Sequence, residues 1–206
     1  MNNSSIHLIE YLIAKGYLKS ENIIDAFMSV DRKDFVLDKF VPEAYEDKPL
    51  PIEEGQTISQ PSTVAFMLEL LSPQKGEFIL DVGSGSGWTT TLLAHVVGEK
   101  GKVFGLEILP ELVKLGKRNL SKYNFPWAEI ELASEDLGSM SNAPYDKILV
   151  SASANKRPDN LIEQLKNGGT LVLPIKNSVW QINKQSNGEI IEKEYYGFVF
   201  VPLIDV

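Results

Sequence analysis

The 206-residue chain contains no cysteine. That excludes disulfides, a thiol nucleophile and a thiolate metal site. Histidine is nearly absent too: His7 and His95 both lie in segments with helical spacing, so nothing argues for a metal and no strong general base is evident. Long apolar runs are missing, because Glu10 interrupts the first apolar segment well short of a membrane span, and no membrane association is expected. Residues 1–5 lack the basic and apolar regions of a signal peptide, so a cytoplasmic location is expected and the sequons at Asn2 and Asn3 carry no weight. Positive charge is scarce, with 20 Lys and Arg against 28 Asp and Glu and a net charge of −8. Such a surface repels phosphate backbones and argues against a nucleic-acid partner. Lys114, Lys117, Arg118 and Lys122 do cluster, but their spacing of three or four is that of a solvated helix face.

At 43% hydrophobic and 23% charged residues, the chain can bury a full core and is expected to form one domain over residues 1–206. Its organising stretch is Phe78-Ile-Leu-Asp-Val-Gly-Ser-Gly-Ser-Gly-Trp88. Ile79, Leu80 and Val82 read as a buried strand, Gly83, Gly85 and Gly87 as a tight turn, and residues 88–97 as a helix. The spacing is G-x-G-x-G with Asp81 two residues ahead, whereas the dinucleotide fingerprint is G-x-G-x-x-G. Glu107 ends the next apolar strand, where an acid can accept from both hydroxyls of a ribose. A loop of this form resembles the S-adenosylmethionine (SAM) site of Rossmann-like methyltransferases. Asp81 is expected to orient the loop by hydrogen bonds, and Trp88 either borders the cofactor or packs under the loop.

Around that stretch the chain alternates. Strand 78–82 precedes helix 88–97, and strand 102–106 precedes helix 110–122, with Pro110 in its first turn. Further strands are expected at 128–132, 147–151 and 170–174, with a helix over 159–165 ending at Gly168 and Gly169. This predicts a mostly parallel sheet with helices on both faces. The tail differs: residues 179–184 and 190–201 read as strands joined by the turn signal Ser186-Asn-Gly188, an antiparallel hairpin. Residues 1–60 precede the glycine-loop strand and read as a helical addition, a lid to the SAM-binding core of residues 61–206. It holds an amphipathic helix over 6–15, a Ser20-capped helix to Met28, and an extended proline-broken stretch over 46–52. Gly55-Gln-Thr-Ile-Ser-Gln-Pro61 is a polar loop opening the next helix; by its local chemistry it serves either as a cap or as part of a site.

Over nearly its whole length the sequence resembles the protein-L-isoaspartate (D-aspartate) O-methyltransferases. The resemblance is carried by Asp31-Arg-Lys-Asp-Phe35, Ala44-Tyr-Glu-Asp-Lys-Pro-Leu-Pro-Ile52, Gly55-Gln-Thr-Ile-Ser-Gln-Pro61, the glycine loop, Glu107-Ile-Leu-Pro-Glu-Leu112, Ala143-Pro-Tyr-Asp146, Leu165-Lys-Asn-Gly-Gly169 and Phe200-Val-Pro-Leu203. It implies SAM-dependent methylation of the α-carboxylate of L-isoaspartyl residues in damaged proteins and peptides, followed by collapse to a succinimide and a second chance to form aspartate. Gln56, Thr57 and Ile58 would border SAM, and Ser59 would hold the isoaspartyl carboxylate and serve catalysis. Gly83, Ser84, Gly85 and Gly87, with Asp81 behind them, would form the loop at the methionine part. Glu107 and Ile108 would meet the ribose, Ser134 or Glu135 the adenine, and Val201 would lend backbone to the peptide. No metal and no partner subunit is implied, and a monomer is expected.

Three departures from the family pattern bear on this. Glu53-Glu54 stands where the family has a glycine-containing stretch, placing two acids near a carboxylate site. Ala133-Ser134-Glu135 replaces Gly-Asp-Gly after the third strand of the core, so that Glu135, Asp136 or Ser134 would serve the adenine. Ser151-Ala-Ser153 replaces Thr-Ala-Ala. The competing readings are a related methyltransferase with another acceptor, a SAM- or peptide-binding homologue without turnover, and, more remotely, a nicotinamide-dependent oxidoreductase.

Overall fold

The computed structural model describes residues 3–134 and 136–203. The chain opens with helices α1 (Asn3–Ala14) and α2 (Glu21–Ser29) and two 3-10 turns, Arg32–Phe35 and Asp38–Glu43. A two-residue ribbon follows, β1 (Leu50–Pro51) antiparallel to β2 (Thr57–Ile58), and then helix α3 (Pro61–Leu71), whose first residue is a proline already set to helical φ. The remainder is β3 (Phe78–Val82), α4 (Trp88–Val97), β4 (Lys102–Glu107), α5 (Pro110–Leu120), β5 (Ala128–Leu132), β6 (Tyr145–Val150), α6 (Asp159–Glu163), β7 (Leu165–Ile175), β8 (Ser178–Lys184) and β9 (Ile190–Tyr196).

The seven strands β3–β9 form one sheet in the order β5-β4-β3-β6-β7-β8-β9. The first five of these neighbours are parallel, and β8 and β9 run antiparallel. Side chains alternate between faces along each strand. Ile79, Val103, Leu149, Val172 and Val179 pack on one face with the apolar sides of α3, α4, α5 and the two N-terminal helices. Leu80, Phe104, Leu106, Ile148, Val150 and Leu171 face the other way, against Tyr145, Leu161 and Ile162. The expected cover on both faces is therefore uneven: five helices on one, the five-residue α6 and the segment before β6 on the other. Central β3 has β4 on one side and β6 on the other. Because the chain leaves β3 in one direction and returns for β6 in the other, a crevice opens at their carboxyl ends.

Several expected boundaries move. The helix over 159–165 ends at Glu163, and the strand begins at Leu165 rather than Thr170. Register runs from Tyr145↔Leu165 straight to Lys147↔Thr170, so the residues between bulge outward. Gly169 is required there, since a Cβ would meet the Lys166 and Asp146 carbonyl oxygens at 2.9 and 3.0 Å. The strand expected over 190–201 stops at Tyr196. Gly197 takes φ 97°, and its N–H and that of Phe198 both donate to the Asn177 carbonyl, ending the strand; the tail then reaches Ser153, just past β6. The helix expected over 110–122 ends at Leu120. Ser20 does not cap α2 through its side chain; its hydroxyl donates to Glu69 Oε2 (2.7 Å), tying α2 to α3.

Candidate active site

A cleft of about 1230 Å³, counted out to its open mouth, lies at the carboxyl ends of β3, β4 and β6. One wall is the glycine loop. Gly83, Gly85 and Gly87 take φ of 77°, 54° and 86°, a region strained for any side chain. Gly87 also lacks room, since a Cβ would sit 3.0 Å from the Gly116 carbonyl oxygen and 3.1 Å from Ile130 Cδ1. The loop is thus pressed onto α5, and its backbone rather than side chains faces the cleft. The N–H groups of Gly83 and Ser84 donate to the Leu106 carbonyl at 2.8 and 3.0 Å, locking the loop to β4.

Glu107 is buried at the end of β4 and fixed by main chain on both oxygens. Gly85 N–H donates to Oε2 at 2.9 Å, and Ile108 and Leu109 N–H donate to Oε1 at 2.8 and 3.0 Å. A carboxylate offers about four acceptor sites. Three are filled, which leaves one hydrogen bond, on Oε2, for a ribose hydroxyl. Ser84 Oγ and Trp88 Nε1 are buried on the same wall without a hydrogen-bond partner among the described residues. An unpaired buried donor costs about 1–3 kcal/mol, so this wall is chemically completed by a polar ligand. A loop whose backbone borders the cleft, a ribose acceptor and two unpaired donors fit SAM.

Asp81 corrects one expectation. It lies on β3, fully buried behind the loop, and does not line the cleft. Its Oδ2 accepts from the hydroxyls of Thr89 and Thr90, both at 2.7 Å, so it secures the first turn of α4 rather than the glycines or a ligand. Burial pushes its pKa up to about 6, against the pull of the two hydroxyls. Gly87 likewise supports the site from below without lining it.

The opposite wall comes from residues 52–59 and 201–203. The β1–β2 ribbon carries Gln56, Thr57, Ile58 and Ser59 to the cleft. Glu53 and Glu54 occupy the turn of that ribbon, where Glu54 takes φ 56°; neither lines the cleft and Glu54 is exposed, so these acids do not oppose an anionic ligand from within it. The tail is held by main chain: Ser153 N–H donates to the Val201 carbonyl and Leu203 N–H to the Ser153 carbonyl, both at 2.8 Å. Phe198 stacks on Phe66 with ring centroids 5.0 Å apart. Val201 lines the cleft with its carbonyl already engaged, which leaves its N–H as the group it can offer.

Thus Gln56, Thr57, Ile58, Ser59, Gly83, Ser84, Gly85, Glu107, Ile108, Ser134 and Val201 meet in one cleft although they are far apart in sequence. Asp136 joins Ser134 at the rim, and Glu135 lies outside the described residues. Trp88 does both things weighed for it: it borders the cleft and packs under the loop against Phe27, centroids 5.6 Å apart. Arg157 pairs with Asp159 and Glu192. His95 meets Asp25 at 2.8 Å, joining α4 to α2. Sequence reasoning missed Arg32, which donates to the Ser59 carbonyl and is buried. In Asp31-Arg-Lys-Asp34 an arginine among charges reads as solvated, and nothing local marks it otherwise. The described titratable side chains lining the cleft are Glu107 and Asp136.

Comparison with known proteins agrees with this geometry. Residues 3–206 match the family model of protein-L-isoaspartate (D-aspartate) O-methyltransferase. The protein-L-isoaspartate O-methyltransferase of Pyrococcus horikoshii is 42% identical over 201 residues, covering 95% of this chain and 90% of the relative. That of Methanopyrus kandleri is 40% identical over 202 residues, covering 96% and 89%. Among solved structures, a beta-aspartate methyltransferase (PCMT) from Plasmodium falciparum in complex with S-adenosyl-L-homocysteine superposes with a TM-score of 0.87 at 26% identity, covering all of both chains.

Proposed function

This chain belongs to the protein-L-isoaspartate (D-aspartate) O-methyltransferase family, and from that premise we propose how its own residues divide the work. The activity is SAM-dependent methylation of the carboxylate of L-isoaspartyl and D-aspartyl residues in damaged proteins and peptides, the first step of their repair. When bound, SAM supplies an electrophilic methyl group on a positively charged sulfur. Gly83, Ser84 and Gly85 hold its amino-acid part through backbone and the Ser84 hydroxyl. Glu107 and Ile108 hold the ribose. Gln56, Thr57 and Ile58 close over it, and Ser134 with Glu135 or Asp136 meets the adenine.

Ser59 takes the acceptor carboxylate by hydrogen bond and orientation, and the Val201 N–H takes the backbone of the peptide. The observation that carries this reading is the chemistry of the lining: neutral donors and main chain, with no histidine, lysine or arginine among the described cleft residues. A carboxylate is ionised at neutral pH and needs no base. What the site must provide is in-line placement and exclusion of water, because charge is cancelled as the new bond forms. Apolar Ile52, Ile58, Val64, Leu106 and Leu112 supply that dry surround.

We read residues 1–206 as one unit in which the N-terminal sixty supply the acceptor wall; a shared core of N-terminal and sheet-bound helices supports this. We also propose that it acts as a monomer, in the cytoplasm, and without nucleic acid. A cleft built within one chain supports the first, and the net charge of −8 the last. Among the described residues, no helix is long and apolar enough to cross a membrane.

The test is transfer of labelled methyl from SAM to two peptides that differ only in Asp or isoAsp, counted as base-labile ester. Label in the isoAsp peptide alone is expected. Transfer to neither, with SAM binding intact by calorimetry, would assign the cleft a different acceptor.

A further inference from the structure

Arg32 takes no part in the chemistry above, yet it is 3% exposed and its guanidinium is surrounded by main-chain carbonyls. Nη1 donates to Ala44 at 2.7 Å and, more weakly, to Glu46 at 3.4 Å. Nη2 donates to Lys48 at 3.0 Å and to Ser59 at 3.1 Å. Its Cζ lies 5.3 Å from the ring centroid of Trp88, the residue that follows the glycine loop. Burial lowers its pKa to about 10, with Asp47 opposing the shift, so it stays charged at neutral pH. Asp47 in turn accepts from Ser62 N–H at 2.8 Å.

Ser59 is therefore strung between two anchors. Its carbonyl is held by Arg32, and the N–H three residues on is held by Asp47. The Ser59 hydroxyl itself makes no hydrogen bond within the described chain. We propose that Arg32, together with Asp47, is a positioning residue for the acceptor, fixing residues 44–59 as one rigid wall and aiming the Ser59 hydroxyl while bracing that wall against Trp88 on the cofactor side. The inference rests on the reading of Ser59 as the acceptor contact. Two features suit arginine to this task. Its planar fork reaches several carbonyls at once, and its flat face stacks on an indole; a lysine ammonium does neither in the same geometry. A local loss of rigidity then acts on turnover more than on cofactor binding, since Glu107 and the glycine loop are secured independently by β4 and only the cover from residues 56–58 loosens.

The experiment uses the full chain with Arg32→Lys and measures three quantities: kcat and KM for an isoAsp peptide, S-adenosylhomocysteine affinity by calorimetry, and amide hydrogen exchange. The expected result is a fall in kcat/KM of about 100-fold, the effect of an ångström-scale misplacement, with S-adenosylhomocysteine affinity falling far less. Exchange should rise across 44–60 and stay constant across 78–107. Methylguanidinium should restore part of the turnover of Arg32→Ala. A merely structural role predicts lowered Tm, parallel loss of both ligands and no rescue, and that outcome overturns the proposal, as does unchanged kcat/KM in a folded variant. Should Arg32→Lys fail to fold, Asp47→Asn keeps an acceptor for Ser62 but removes the counter-charge, and must show a smaller split of the same kind. Ser59→Ala, run alongside, separates the two ideas: full activity there sinks the Ser59 reading, while exchange over 44–60 in the arginine variant still decides whether Arg32 holds the wall.

Discussion

The cofactor wall and the acceptor wall of the cleft reach comparable order by different means. On the cofactor side, the glycine loop and Glu107 are fixed by main-chain hydrogen bonds between adjacent parallel strands, and few of the partners are more than about one βα unit away in sequence. On the acceptor side, residues 44–59 form only a two-residue ribbon. They depend on side chains, Arg32 from outside on four carbonyls and their own Asp47 on the N–H of Ser62. Regular structure makes the first wall insensitive to most single side chains. The second is as strong as two or three specific contacts. The lesson is that binding and turnover should be largely separable by mutation, because Glu107 and the glycine loop rest on a different scaffold from Ser59.

Glu107→Ala is expected to have the largest effect. It removes a ligand acceptor and leaves three main-chain N–H groups without a partner, so S-adenosylhomocysteine binding should weaken by about 2–4 kcal/mol, roughly 30- to 1000-fold. Calorimetry showing unchanged affinity would erase the distinction between the walls. Ser59→Ala cuts the other way: kcat for the isoAsp peptide should fall about 10- to 100-fold while cofactor affinity holds. Equal loss of both would make Ser59 an element of the fold.

Asp81→Asn probes the support behind the cofactor wall. The native pKa stands near 6 against 3.8 as reference, so between those values the folded chain keeps a proton that the unfolded chain has lost. This contribution to stability is fully present below about pH 4 and is lost as pH rises through 6, with a size on the order of 2–3 kcal/mol. Denaturation of the wild type from pH 4 to 7 should show the decline, and the asparagine variant should lack it; identical profiles would contradict the assignment. The smallest effect is expected from Glu53→Gln with Glu54→Gln. Because neither acid lines the cleft, the isoAsp KM should change by roughly twofold at most, through screened long-range charge. A tenfold drop in KM would place these acids on the path of the peptide.

The sheet was largely legible in the sequence because each core strand is a short apolar run bounded by glycine, proline or polar turns, and that pattern is local. The glycine loop and Glu107 were legible for the same reason: a strand, a turn and the next strand lie within thirty residues. Boundaries failed where a contact distant in sequence decided them. Asp146 opposite Gly169 drew the chain into β7 early, and the Asn177 carbonyl ended β9 at Tyr196. Asp81 was assigned to the loop because it precedes it, whereas Thr89 and Thr90, in the first turn of α4, are what it meets. The β1–β2 ribbon is too short to have any periodicity.

By itself, then, the sequence determined the alternation of β3, α4, β4 and α5, the backbone approach permitted at Gly83, Gly85 and Gly87, and a family resemblance strong enough to imply the reaction. These follow from short-range rules of periodicity and φ preference. The tertiary structure alone decided that Arg32, flanked by Asp31 and Lys33, is buried, that Glu53 and Glu54 stand off the cleft, and that Val201 comes to line the same cleft as Ser59. No local rule fixes those, because each depends on where segments remote in the chain come to rest once the core has closed.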